Sequence, residues 1–239
     1  MIIWIRKIHK WASLLIGLQV LIWVISGLTF NVIDREKARG NTYRQAAIAA
    51  PSTTNTDLLP VEHILKAYPE TIELNQATIL SQPYYLLTQQ QGLYRHFTNR
   101  YHIVNAITGQ LTIVDKQLAT TIAQASYSGP GSIGSVNLIT PPNEDFLKDK
   151  NPSWQINFDD NLETSVYVEQ SSGRIIGHSN SNKRFADFFF MLHFMDYGSA
   201  GNFNTIQIML FAFVTLWLTL SGLLWTIHLL RKGQYRIKR

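Results

Sequence analysis

No Asp, Glu, Lys or Arg stands between positions 11 and 33, or between 205 and 230, two uncharged runs of 23 and 26 residues in a chain of 239. A helix needs about 20 apolar residues to cross a hydrocarbon core about 30 Å thick. Each run is long enough to span a bilayer, and an ordinary soluble globule is excluded. The overall composition, 46% hydrophobic and 15% charged, hides this, because it is what a soluble domain would show.

The charges divide unevenly around the runs. All 16 acids lie from Asp34 to Asp196 with 13 of the 21 basic residues, so the middle of the chain is net −3. The termini carry only basic residues: Arg6, Lys7 and Lys10 before the first run, and Arg231, Lys232, Arg236, Lys238 and Arg239 after the second. The positive-inside rule then predicts both ends in the cytoplasm and the middle outside. The pI near 9.4 reflects that topology, so nucleic acid is not an expected partner. Small residues at 46–50 (Ala-Ala-Ile-Ala-Ala) lie too far beyond an overlong apolar core for signal-peptide cleavage, which predicts an uncleaved anchor.

The expected organisation is a cytoplasmic segment 1–10, a first span 11–33, an outer domain 34–182, an interfacial amphipathic helix 183–198, a second span 205–230 and a basic tail 231–239. In the outer domain, Pro60 and the spacing of Val61, Ile64, Leu65 and Tyr68 predict a helix over 59–68, and 116–125 predicts another. Segments rich in aromatic and β-branched residues at 84–88, 93–97, 101–105 and 110–114, and again at 154–158, 164–169 and 174–178, predict antiparallel strands. The Gly-, Pro- and Ser-rich stretch 126–152 reads as a long loop or a boundary between subdomains. A weak repeat relates 101–111 to 166–175, each a strand, a Thr-Gly or Ser-Gly turn at Gly109 or Gly173, and a second strand. A hairpin recurring by chance is the alternative.

No cysteine is present, so thiolate metal sites, iron–sulfur clusters and thiol redox chemistry are excluded. No Gly-x-Ser-x-Gly, His-Glu-x-x-His, P-loop or dinucleotide fingerprint occurs either. Any electron donor must therefore be another protein or a quinol.

Four short motifs recur in order: Arg6-Lys7-Ile8-His9-Lys10-Trp11 opening the first span, Ser26-Gly27 near its end, Leu192-His193 leading to the second, and Ser221-Gly222-Leu223-Leu224-Trp225 within it. With the hairpin domain between the spans, the set resembles the PepSY-associated transmembrane family. The resemblance covers most of the chain and implies two transmembrane helices flanking a periplasmic α+β PepSY-like domain with antiparallel strands. The two-span form, with the run His193-Phe194-Met195-Asp196-Tyr197-Gly198, is similar to small inner-membrane ferric reductases that assist ferrous iron uptake in Gram-negative bacteria. Some larger members of that family are four-span siderophore-iron reductases that carry haem b. Half that number implies a homodimer here, with ferric iron as substrate, a ferrous iron transporter as a partner, and membrane lipid around the spans.

Three histidines take on weight under that resemblance. His9 and His228 lie towards the cytoplasmic ends of antiparallel spans and are expected at similar depth, where both could ligate a haem iron; a neutral imidazole suits that task. Ser13, Gly17 and Val20 continue the His9 stripe, and Trp217, Ser221 and Leu224 the His228 stripe, with small residues that admit a macrocycle or a neighbouring helix. His193 lies at the outer end, where Asp196 could accept a ring N–H and fix its tautomer, and where a dimer would present two such rings. The plainer alternatives are a basic headgroup-facing cluster at His9, interfacial side chains at His228 and His193, and a non-enzymatic PepSY module that binds and regulates a peptidase or transporter. In the domain, His63, His96, His102 and His178, and the acids Glu144, Asp145, Asp159, Asp160 and Glu163, could touch iron but read more plainly as solvated side chains.

Overall fold

The structure, a computed structural model, describes residues 2–45, 58–198 and 205–234. It divides into two compact units, one of Met1–Val32 with Phe188–Arg239 and the other of Ile33–Asp187. The Ala-rich stretch 46–50 and the end of the basic tail, from residue 235, lie outside the described residues.

In the first unit, α1 (Ile2–Val32) and α6 (Ile206–Arg231) are the two long apolar helices. In hydrocarbon every backbone N–H and C=O must be satisfied within the segment, which makes helix the only form open to such runs. Thr205 caps α6, its hydroxyl accepting from the Ile208 N–H at 3.3 Å. On α1 the less exposed positions include His9, Ala12, Ile16, Gln19, Trp23, Ser26 and Phe30, which are spaced alternately by three and four, with Ile22, Gly27 and Thr29 beside them. That spacing is the seam of a helix packed lengthwise on neighbours. Ile16 meets Phe211 of α6 and Met195 in a small buried cluster. Ser13, Gly17 and Val20 are exposed, so the stripe expected to accompany His9 is not the face that packs within the chain.

In the second unit, a short helix α2 (Arg35–Ala38) precedes two successive modules of one helix and four strands. The first is α3 (Val61–Ala67) with β1 (Glu73–Ile79), β2 (Gln82–Gln90), β3 (Arg100–Asn105) and β4 (Leu111–Thr112). The second is α4 (Lys116–Ala125) with β5 (Ser132–Ile139), β6 (Ser153–Asp159), β7 (Ser165–Glu169) and β8 (Ile175–Ser179). Each sheet is an antiparallel meander in sequence order. The repeat visible in the sequence is thus the third and fourth strands of each sheet, turned at Gly109 and Gly173 with φ of 72° and 67°, a region only glycine enters at low cost.

Alternation along β2 places Tyr85 and Leu87 against Ile64 of α3, while Tyr84 and Leu86 pack towards the larger core. That core gathers Ile79 and Ile103 from the first sheet, Ile156, Val166 and Val168 from the second, and Ile122 of α4. Asp115 caps α4 by accepting from the Leu118 N–H at 2.8 Å. Residues 93–97, expected as a strand, form a loop instead. The buried side chain of Asn99 donates to the carbonyls of Tyr94, Arg95 and Phe97 and accepts from the Gly92 N–H, and these bonds replace a strand ladder. β1 and β5, absent from the sequence reading, are the first strands of their sheets and are largely exposed. The last helix, α5 (Ser181–Phe194), follows β8.

Candidate functional site

The last turn of α5 leaves carbonyls without intrahelical partners, and α1 supplies them. Gln19 Nε2 donates to the Leu192 carbonyl at 3.3 Å, and Trp23 Nε1 donates to the His193 carbonyl at 2.7 Å. The Tyr197 hydroxyl in turn donates to Gln19 Oε1 at 3.4 Å. α5 then stops in a left-handed turn: Met195 has φ 51°, and the Asp196 N–H donates to the Met191 carbonyl at 3.0 Å. A non-glycine residue in that region costs about 1 kcal/mol, and burial of Met195 beside Ile16 and Phe211 offsets it.

This closure brings the His193 ring onto α1. Ser26 Oγ is 2.8 Å from His193 Nδ1. The ring lies edge-to-face with Phe30 at 5.4 Å and tilted to Trp23 at 6.3 Å between centroids. The Phe190 ring lies tilted to Phe30, 4.5 Å away between centroids. Ser26 has no solvent exposure. The Nδ1 partner of His193 is thus a serine, where the sequence had suggested Asp196. Asp196 is itself buried.

A second pair of the same kind joins α1 and α6. Ser221 Oγ is 3.5 Å from His9 Nδ1, and the His9 ring lies 6.1 Å from Trp217. Both serines belong to Ser-Gly steps, and in each pair the serine and histidine come from different helices. His9 and Ser26 share the α1 seam 17 residues apart, which at 1.5 Å per residue separates the two pairs by about 25 Å along the helix. His228 belongs to neither. It lies seven residues beyond Ser221 on α6, about 10 Å farther along the helix, exposed and beside Trp225 of its own helix at 5.8 Å. Within one chain His9 faces Ser221, and the expected opposition of His9 and His228 does not occur.

The domain histidines are scattered. His63 is exposed on α3, His96 stacks on Tyr94 at 5.4 Å, His102 lies edge-on to Tyr68 at 6.2 Å, and His178 is buried with Nε2 3.0 Å from Ser126 Oγ. Burial, with the Arg44 charge nearby, lowers the His178 pKa to about 4. Asp159, Asp160 and Glu163 line an open pocket of about 360 Å³ with Arg184. Among the described residues no three His, Asp or Glu side chains are gathered to hold a bare metal ion.

Asp145 is structural. It accepts from Arg184 Nε and Nη2 at 3.2 Å and from the Tyr167 hydroxyl at 2.8 Å. Burial opposes its ionisation, but these donors outweigh burial and hold its pKa below the usual value.

The polar face of the α1 seam is the feature sequence reasoning missed. Gln19 and Ser26 sit at seam spacing from His9, and a buried amide in a span is itself a signal, because polar groups in hydrocarbon need partners. A family model described as the PepSY-associated TM region matches residues 6–239. No curated protein and no solved structure matches the chain.

Proposed function

The chain belongs to the PepSY-associated transmembrane family, and on that premise we propose that it is a haem b electron-transfer protein of the bacterial inner membrane, reducing ferric to ferrous iron on the periplasmic side to support iron uptake. The observation that supports this best is the pair of serine–histidine contacts about 25 Å apart along α1. Each occupies Nδ1 and leaves Nε2 without a hydrogen-bond partner among the described residues. A metal-bound histidine ordinarily engages its second nitrogen in this way, so the residues present fit haem.

The working unit is a homodimer. With its axis along the helices, each histidine meets its copy at one level, giving levels at His193, at His9 and at His228. The first two carry a hydroxyl partner. His193 and His9 would bind the haem iron through Nε2, and Phe30, Trp23 and Phe190 would exclude water from the His193 level. Haem b, when bound, supplies reversible one-electron transfer. Two levels about 25 Å apart suit a path across a core about 30 Å thick. The basic termini favour both ends in the cytoplasm. A quinol or a redox protein donates the electron, and a ferrous iron transporter takes up the product.

The test is the absorption spectrum of detergent-purified protein expressed with ample haem. A Soret band that shifts on reduction and reverts on adding ferric citrate is expected, and colourless protein would overturn the reading.

One observation favours the non-enzymatic alternative, a membrane-anchored module that binds and regulates a peptidase or transporter. The loop at 92–99 is held rigid by Asn99 and Asn151 yet turns Leu93 and Tyr94 outward, 77% and 57% exposed. The same spectrum separates the two, because a purely regulatory module has no need of haem.

A further inference from the structure

Ser26 offers one hydroxyl proton to three neighbours. Its Oγ lies 2.8 Å from the Ile22 carbonyl, 3.2 Å from the Trp23 carbonyl and 2.8 Å from His193 Nδ1. Carbonyl oxygens only accept. If the proton went to the imidazole, a hydroxyl oxygen closed off from water would face two carbonyl oxygens at close range with nothing between them, a costly arrangement in a site of low dielectric. The arrangement that satisfies every group sends the hydroxyl proton to α1's own backbone, a common habit of serine in spans. Ser26 Oγ then accepts from Nδ1–H of His193. Ser221 repeats the logic: its hydroxyl donates to the Leu218 carbonyl at 3.0 Å and faces His9 Nδ1 at 3.5 Å.

We propose that Ser26 and Ser221 are positioning residues, each holding a histidine on another helix as its Nδ1–H tautomer, so that with the ring neutral the Nε2 lone pair is free to ligate iron. The proposal rests on the haem reading of the site and specifies how the protein prepares its ligands before any haem arrives. His178 provides an internal contrast. Ser126 Oγ donates to the Ala123 carbonyl at 2.9 Å and meets Nε2, so that ring is held as the opposite tautomer, with a bare Nδ1 shut in the core. The same hydroxyl device therefore produces a ligand-ready ring in the helices and a ligand-incompetent one in the domain.

The experiment uses the full chain in detergent with 15N-labelled histidine, first free of haem. Wild type is expected to show His193 protonated at Nδ1, Ser26→Ala to lose that preference, and Ser26→Thr, which keeps the hydroxyl, to restore it. Titrated with haem, Ser26→Ala is expected to bind about tenfold more weakly than wild type, with Ser26→Thr close to wild type. His178 serves as the unchanged control resonance in all three. A protein that binds haem but whose His193 tautomer is indifferent to Ser26 would overturn this assignment and leave the haem reading standing. A protein that shows the Ser26-dependent tautomer but takes up no haem would overturn the haem reading and uphold the assignment of the Ser26–His193 bond.

Discussion

Ser26 Oγ and His193 Nδ1 stand 2.8 Å apart although 167 residues separate them in the chain. The contact forms because Trp23 and Gln19, one and two turns earlier on α1, hold the last carbonyls of α5. The ring is therefore located by backbone anchors as well as by its own bond.

The histidines should differ in what their loss does. His193→Ala and His9→Ala are each expected to lose one haem level, lowering the haem-to-protein ratio by about half. His228→Ala, exposed and without a hydroxyl partner among the described residues, is expected to retain haem. Pyridine haemochrome assay against protein mass measures this.

Trp23→Phe keeps an aromatic ring beside Phe211, 5.3 Å away, but removes the donor to the His193 carbonyl. Losing that bond and leaving the carbonyl unsatisfied costs about 1–3 kcal/mol. A lowered unfolding midpoint in detergent is expected, together with a shifted Soret maximum if the ring moves.

Asn151→Ala should loosen the loop at 92–99. Its side chain donates to the Phe97 carbonyl at 2.7 Å and the Arg95 carbonyl at 3.3 Å, and accepts from the Asn99 N–H at 2.9 Å. Faster tryptic cleavage after Arg95, by tenfold or more for about 1.4 kcal/mol of lost protection, is the expected result.

Acid should weaken the domain through His178. With its folded pKa near 4 against the ordinary 6.5, the unfolded chain takes up a proton that the folded chain refuses. That contribution to stability is whole above pH 6.5 and is lost as the pH falls towards 4, by about 3 kcal/mol. Amide exchange in β7 and β8 should accelerate across that window, and His178→Gln should flatten the dependence.

Arg174 neutralises Glu169, which has no exposure, and Asp149, each at 3.4 Å. Arg174→Met strands the buried carboxylate. With the Arg174 side chain 32% exposed, screening limits the cost to about 2 kcal/mol, or roughly 6 °C in the unfolding midpoint. Glu169→Gln in the same background should recover part of it.

The spans, the domain between them and the hairpin repeat were legible because uncharged length and Thr-Gly or Ser-Gly turns are local signals. β1 and β5 were not, because an edge strand with one neighbour buries little and so carries little hydrophobic alternation. The 93–97 segment reads as a strand by its Leu, Tyr and Phe, and Asn99, from outside the segment, decides otherwise. At the site, His9, Ser26, His193 and Ser221 all stand in motifs, but small Ser13 and Gly17 look like the packing face and nothing local joins Ser26 to His193. The chain instead packs through Ile16, Gln19 and Ser26, and that choice depends on partners about 170 positions away, which no local pattern displays.

That separation bears on how the protein is made. At roughly 5–20 residues per second, α1 sits in the bilayer for on the order of ten seconds or more before the turn at Leu192 and His193 exists. The two modules synthesised meanwhile pair only consecutive strands, a local topology that folds faster than this wait. Through that interval Gln19 and Trp23 are donors without their final acceptors, and Ser26 is an acceptor without its final donor. A slowed ribosome would lengthen the time in which another nascent α1 or a membrane chaperone can occupy the seam, so the yield of correctly closed protein should depend on the tempo of translation between the two spans.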